Sequence, residues 1–193
     1  MRRLHARRFL ASRQGSSAAE FTLVVILFLT FIFGIIDFGR ALWEWNEAQM
    51  ATAAGARFAA VNDMVASEWQ DFDGLTCAGI GNGQTVPDAC LGANPNVCTS
   101  ASCSSGARNT PAFNAILAQV QKYYPKVAAA NLVVEYRHVG LGFAGNPLGT
   151  DLVPAVTVRL QNLQFAFVTP GLAGMVSIPM PSFAATLTGE DFD

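Results

Sequence analysis

The chain has 193 residues, of which 12 are basic, 14 acidic and 51% hydrophobic, leaving room for one modest domain beside a membrane segment at roughly 100–200 residues per domain. Five of the basic residues, Arg2, Arg3, Arg7, Arg8 and Arg13, precede Gly15 with no acid among them, so the remainder holds 12 − 5 = 7 basic against all 14 acidic residues. A net acidic body disfavours nucleic acid, whose phosphates call for a basic patch.

The first element is an apolar helix. From Phe21 to Ile36 no charge interrupts 16 residues, which cover about 24 Å at roughly 1.5 Å per residue, somewhat short of the roughly 30 Å hydrocarbon layer. Past this run Phe38, Ala41, Leu42, Trp43 and Trp45 continue the apolar character, and tryptophans suit the lipid–water boundary. Asp37 and Arg40 stand three apart and can pair on one helix face. The basic leader, 1–15, holds its end in the cytoplasm by the positive-inside rule, so everything after Trp45 is expected outside. A secretory signal peptide has the same basic-then-apolar order but is cut after its apolar run, at small residues. Here the run ends in Asp37-Phe-Gly-Arg-Ala-Leu-Trp43, and the small-residue cluster Gly15-Ser-Ser-Ala-Ala19 precedes it. A cut in that cluster removes the leader and keeps the helix.

Glu20 admits two readings. A carboxylate in the first turn of a helix is favoured by the helix dipole by ~0.3–1 kcal/mol and needs no function. Alternatively, an ionisable group at a bilayer edge, with no basic residue after it until Arg40, calls for a partner.

Gly15-Ser-Ser-Ala-Ala-Glu20-Phe21, then Phe33-Gly-Ile-Ile-Asp-Phe-Gly-Arg-Ala-Leu42, then Ala54-Gly-Ala-Arg-Phe-Ala-Ala60 resembles the TadE-like proteins of the tight-adherence (Flp) pilus system, over residues 15–60. Those are pseudopilins, small membrane-anchored proteins cut by a prepilin peptidase and needed for pilus assembly. The resemblance implies cleavage between Gly15 and Ser16, with Glu20 and Phe21 as the processing and assembly positions. It also implies that the new α-amino group of Ser16 in one subunit can pair with Glu20 of a neighbour. The implied partners are the prepilin peptidase, other pilins or pseudopilins, inner-membrane pilus assembly proteins and membrane lipid.

After the membrane the helix is expected to continue to residue 66. Ala51, Ala54, Phe58, Val61 and Val65 recur at steps of three and four, the period of one face, and no proline occurs before Pro87 to force a break. Gly34, Gly39 and Gly55 each lower helix propensity by roughly 1 kcal/mol relative to Ala. Small residues from Ala48 to Ala60 permit close approach to another helix or to the protein's own sheet. Arg57 is then an exposed or paired charge.

Residues 67–110 read as a cysteine-containing loop region, rich in Gly, Asn, Ser and Pro from Asp71 onward. A loop of this length is uncommon in a compact domain unless tied down. Cys77, Cys90, Cys98 and Cys103 are disulfide candidates, since the expected topology places them where bridges persist. Four cysteines allow three connectivities, and sequential pairing would close small local loops. Zinc finds no Cys-x-x-Cys pair, and His138 is the one histidine outside the leader, so no metal is expected.

Thr110-Pro111 opens a second helix, with Thr as N-cap and Pro at the first helical position. Ile116, Leu117, Val120 and Tyr124 follow at helical spacing and Pro125 ends it. The remainder of 111–193 reads as strand: 132–139, then Val156, Val158 and Leu160 alternating with polar residues. Leu163, Phe165 and Phe167 fall on the opposite phase, so a bulge or a break into two strands is expected near Gln161-Asn162. Pro170-Gly171 turns the chain, and Phe183, Ala185 and Leu187 make a last strand ending before Gly189. The expected architecture is α+β: a long N-terminal transmembrane helix continuing into a small antiparallel-sheet domain, like pilin-type folds.

Gly140-Leu-Gly142-Phe-Ala-Gly145 matches the dinucleotide-binding pattern G-x-G-x-x-G and follows a strand, but Asn146-Pro-Leu-Gly-Thr150 cannot readily open the required helix. It reads as a hairpin loop, and no cofactor is expected. His138 reads as a mid-strand residue with no special role, and the pairs Asp71/Asp73 and Asp191/Asp193 as solvated charges. No nucleophile elbow or phosphate-binding loop appears, so the chain is not expected to be an enzyme. A pocket joining His138 to a free cysteine thiol would revive that option. The preferred reading is a minor pseudopilin-like protein in the bacterial inner membrane, single-pass, N-terminus cytoplasmic and C-terminal domain periplasmic. The alternative is a single-pass, membrane-anchored periplasmic binding or adhesion module outside any pilus.

Overall fold

The computed structural model describes residues 14–147, 150–168 and 176–189. The arginines of the leader, the expected turn at Pro170-Gly171 and the pair Asp191/Asp193 lie outside the described residues. The chain forms two compact units. One contains the described residues of Met1–Leu42 with Ala166–Ser177, and the other those of Trp43–Phe165 with Ile178–Asp193. The fold is α+β, as expected from the sequence.

Helix α1 is continuous over Gln14–Ala59. In the first unit its side chains from Ser17 to Ile36 are exposed on nearly every side, and Phe21, Leu23, Leu27 and Phe31 are 68–70% exposed. A helix apolar all round, with no protein covering it, belongs in a nonpolar solvent. Its two mid-run hydroxyls are satisfied inside the helix, Thr22 Oγ1 donating to Ala18 O and Thr30 Oγ1 to Ile26 O at 2.8 Å each. Helix α1 is the one helix among the described residues long and apolar enough to cross a membrane.

In the second unit the last turns of α1 enter a core. Ala48, Ala51, Thr52, Ala56 and Ala59 are buried there, whereas Val61 is 51% exposed. The buried stripe is therefore rotated from the expected one through Ala51, Ala54, Phe58, Val61 and Val65. Closeness explains the rotation. A Cβ on Gly55 would stand 2.7 Å from Val120 Cγ2 and 3.3 Å from Val158 Cγ1, so the smallest side chains face inward and Phe58 is left at the margin. The helix also ends before residue 66. Asn62 Nδ2 donates to Phe58 O (2.8 Å) and Val61 N reaches the same carbonyl (3.4 Å), closing the last turn. Beyond it, tertiary bonds replace helical ones. Val65 N donates to the Tyr136 hydroxyl (2.9 Å) and Val65 O accepts from Asn109 N (2.7 Å).

The segment expected as loop carries the short helix α2 (Ser67–Gln70) and strand β1 (Asn96–Cys98). Its disulfides are Cys77–Cys90 and Cys98–Cys103, the sequential connectivity. Strand β1 escaped the sequence reading because three residues are too few to show alternation. Its partner, β2 (Leu132–Arg137), holds it, pairing Glu135 with Val97. Helix α3 (Thr110–Tyr123) is capped by Asn109, whose Oδ1 accepts from Ala112 N at 3.2 Å, and Thr110 is its first residue, not its cap. The Thr110 hydroxyl instead accepts from Arg108 Nη2 (3.3 Å). Phe113, Ile116 and Val120 form the buried face of α3, and Tyr124 closes its end.

Strands β2 (Leu132–Arg137), β3 (Ala155–Leu160) and β6 (Phe183–Thr188) complete an antiparallel sheet ordered β1-β2-β3-β6. Leu132, Val134, Tyr136, Val156, Val158 and Leu160 point into the core. Opposite them the outer face carries Glu135 bonded to Arg137 (2.9 Å) and Arg159 (3.4 Å), and a Thr157–Thr186 hydroxyl pair (2.8 Å). The phase slip is a break, not a bulge. Asn162 takes φ 57°, a left-handed conformation that Asn tolerates better than most residues, and a separate hairpin of β4 (Gln164–Ala166) with β5 (Ser177–Pro179) follows.

The glycine-rich loop after β2 is a structural connection. Gly140, Gly142 and Gly145 all have φ between 76° and 95°, and β3 follows it with no helix among the described residues between. It is pinned by Asp151, a buried carboxylate that accepts from Gly74 N (2.6 Å), Gly145 N (2.9 Å) and Asn146 N (2.7 Å).

Candidate functional site

The N-terminal turns of α1 hold the residues singled out for processing. Gly15 and Ser16 are helical, directly after Gln14. The Gly15–Ser16 bond is therefore helical in the uncut chain. Glu20 does not open the helix, because Gln14-Gly-Ser-Ser-Ala-Ala carries no proline and is already helical ahead of it. The dipole therefore gives no ready explanation of Glu20 in the uncut chain. Glu20 and Phe21 are exposed on the helix surface.

At the other end of the apolar run, Asp37 and Arg40 pair as their spacing suggested, Nη1 to Oδ1 at 3.0 Å. The same Asp37 oxygen accepts from Val168 N (3.0 Å), and the carboxylate side chain is only 7% exposed. No local pattern signals this long-range bond, whose partners stand 131 residues apart.

Within the second unit a further carboxylate on α1, Glu44, is buried. It accepts from the Tyr124 hydroxyl (3.3 Å) and pairs with Lys126 Nζ. Burial first, and then the Glu44 charge, push the Tyr124 phenol up to about 12. Burial likewise raises Tyr136 above the ordinary phenol range, against the lowering influence of the Val65 N–H that its oxygen accepts. Glu44 was findable: it stands one turn before Ala48, on the stripe of small residues that faces the core. Trp45 packs edge-on against Phe183, ring centroids 5.1 Å apart.

His138 lies one residue beyond β2, not within a strand, and it is buried. Its Nδ1 is 2.8 Å from Asp88 Oδ1, and its backbone N donates to Asn94 Oδ1 (3.0 Å), so it fastens the cysteine-containing segment to the end of β2. All four cysteines are in disulfides. Among the described residues no three His, Cys, Asp or Glu side chains gather as a metal site.

These features define a chain in which one helix long and apolar enough to cross a membrane leads into a disulfide-bonded α+β domain. Residues 15–57 match the family model described as TadE-like protein, the stretch that holds Gly15, Glu20 and the apolar run. No curated protein and no solved structure matches the chain.

Proposed function

We propose that this chain is a minor pseudopilin-like membrane protein that takes part in assembling a tight-adherence (Flp-type) pilus. The carrying observation is an N-terminal helix whose apolar run, Phe21 to Ile36, is exposed on nearly every side and follows Gly15 and Glu20 within the TadE-like match. In this reading a prepilin peptidase cuts after Gly15, on the cytoplasmic side where the arginine-rich leader is held. The helix stays in the inner membrane, and the domain with its two disulfides lies in the periplasm, a compartment where such bridges persist. The role is structural: the helix engages other pilins and inner-membrane assembly proteins.

Cleavage couples to assembly through charge. The freed amine of Ser16 in one subunit pairs with Glu20 of the next, so that only processed chains dock, a pairing favoured where lipid lowers the dielectric. Glu20→Gln is expected to leave cleavage at Gly15 intact while weakening co-purification with other pilus proteins. Full co-purification of the Gln variant would remove Glu20 from the docking step.

A further inference from the structure

The apolar run of α1 is about 24 Å long by helical rise, some 6 Å less than a typical hydrocarbon layer. Asp37 and Arg40, which end the run, therefore stand at or inside the lipid boundary, where a carboxylate is costly unless satisfied and covered. The structure satisfies and covers it from an unexpected place. Strand β4 runs on past Ala166, and Val168 N donates to Asp37 Oδ1 (3.0 Å) while Arg40 Nη1 approaches Ala166 O (3.5 Å). The returning arm is held to this one by Phe167 N donating to Val176 O (3.1 Å).

What this hairpin shows to its surroundings is apolar. Val168 is 59% and Val176 69% exposed, and beside them on α1 Phe38 and Leu42 are 66% and 51% exposed. The sequence carries no charged residue from Leu160 to Gly189, in a chain whose domain is otherwise acidic. Water-facing arms of a connection would ordinarily be polar. Four exposed apolar side chains at the level where the anchor leaves the hydrocarbon fit the interfacial layer of the bilayer itself.

We propose that the hairpin arms around Val168 and Val176 form a second membrane contact, an apolar lip lying in the lipid interface beside the domain-side end of α1. The proposal rests on α1 spanning the bilayer. It gives the anchored protein two points of attachment, which restrain rotation of the hairpin about the helix and compensate for the short apolar run.

The test uses the full-length, oxidised protein in phosphatidylcholine–phosphatidylglycerol vesicles. Single sites, Val168→Cys, Val176→Cys, Phe28→Cys and Asn114→Cys, are labelled with a polarity-sensitive fluorophore and quenched by lipids spin-labelled at shallow or deep acyl positions. Labels at 168 and 176 are expected to emit to the blue of the label at 114. They should be quenched several-fold more than it by the shallow quencher, and the label at 28 chiefly by the deep one. Quenching at 28 with labels at 168 and 176 behaving like 114 would overturn the lip and leave the spanning helix standing, and would point to water or a protein partner on the hairpin. Absence of quenching at 28 would overturn the spanning helix, and with it the basis of the lip.

Discussion

Asp151 and Tyr124 show how single polar groups hold the domain from inside. Asp151 satisfies three backbone amides, two in the glycine-rich loop and one at Gly74. Hydrogen bonds to a charged group contribute about 1.5–3 kcal/mol each and do not simply add, so Asp151→Ala is expected to destabilise by about 3 kcal/mol or more. Thermal unfolding of the variant in detergent checks this, and an unchanged midpoint would contradict it. Tyr124 carries a raised pKa, about 12 against an ordinary 10.0. The folded state binds this proton more tightly than the unfolded state, so its contribution is fully present below pH 10 and is lost as pH rises from there through about 12. A spectrophotometric titration is expected to show late phenol ionisation accompanied by unfolding, and the Glu44→Gln variant should bring Tyr124 to ionise earlier. At this scale little was legible in the sequence. Spacing announces Arg40 as a partner of Asp37, but the bonds of Asp37 with Val168 N, Asp151 with Gly74 N and His138 with Asp88 are long-range, and nothing in the neighbouring residues announces them.

Helix α1 changes surroundings along its length, and its glycines report the change. Gly55 meets Val120 and Val158 so closely that a methyl group has no room, whereas Gly34 and Gly39 have nothing within 4 Å of an added Cβ. Overpacking costs about 1–3 kcal/mol, more than the roughly 1 kcal/mol of helix propensity that alanine returns. Gly55→Ala is therefore expected to lower stability, and Gly34→Ala and Gly39→Ala to leave it unchanged or raise it slightly. If either of the latter two impairs pilus assembly while unfolding normally, that glycine receives a neighbouring helix. A fall in stability for Gly34→Ala in detergent would contradict its open setting. The elements were more legible than the single contacts. Uninterrupted apolarity, the alternation around Val156 and Val158, and the 3.6-residue spacing of Ile116 and Val120 are local signals. Element boundaries depart from the apolar pattern where polar side chains bond the local backbone, as Asn62 does to end α1 early and Asn109 does to take the cap from Thr110, and β1 depends on pairing with the distant β2.

As a whole, the chain combines a helix that lacks a protein core in one unit with a well-packed, disulfide-bonded sheet domain in the other. The first was readable because a bilayer imposes composition on every residue of a span. The strand order β1-β2-β3-β6 was not, because non-consecutive pairing such as β3 with β6 leaves no mark in the sequence. The proposed role in pilus assembly depends on removing the leader while retaining the helix. Intact mass of the protein extracted from membranes, under non-reducing conditions, with and without the prepilin peptidase, tests this most directly. The account predicts a chain beginning at Ser16 with both disulfides when the peptidase is present, and one retaining the leader when it is absent. A membrane-extracted chain that still carries its leader in the presence of active peptidase, or one that has lost Phe21 to Ile36, would contradict it.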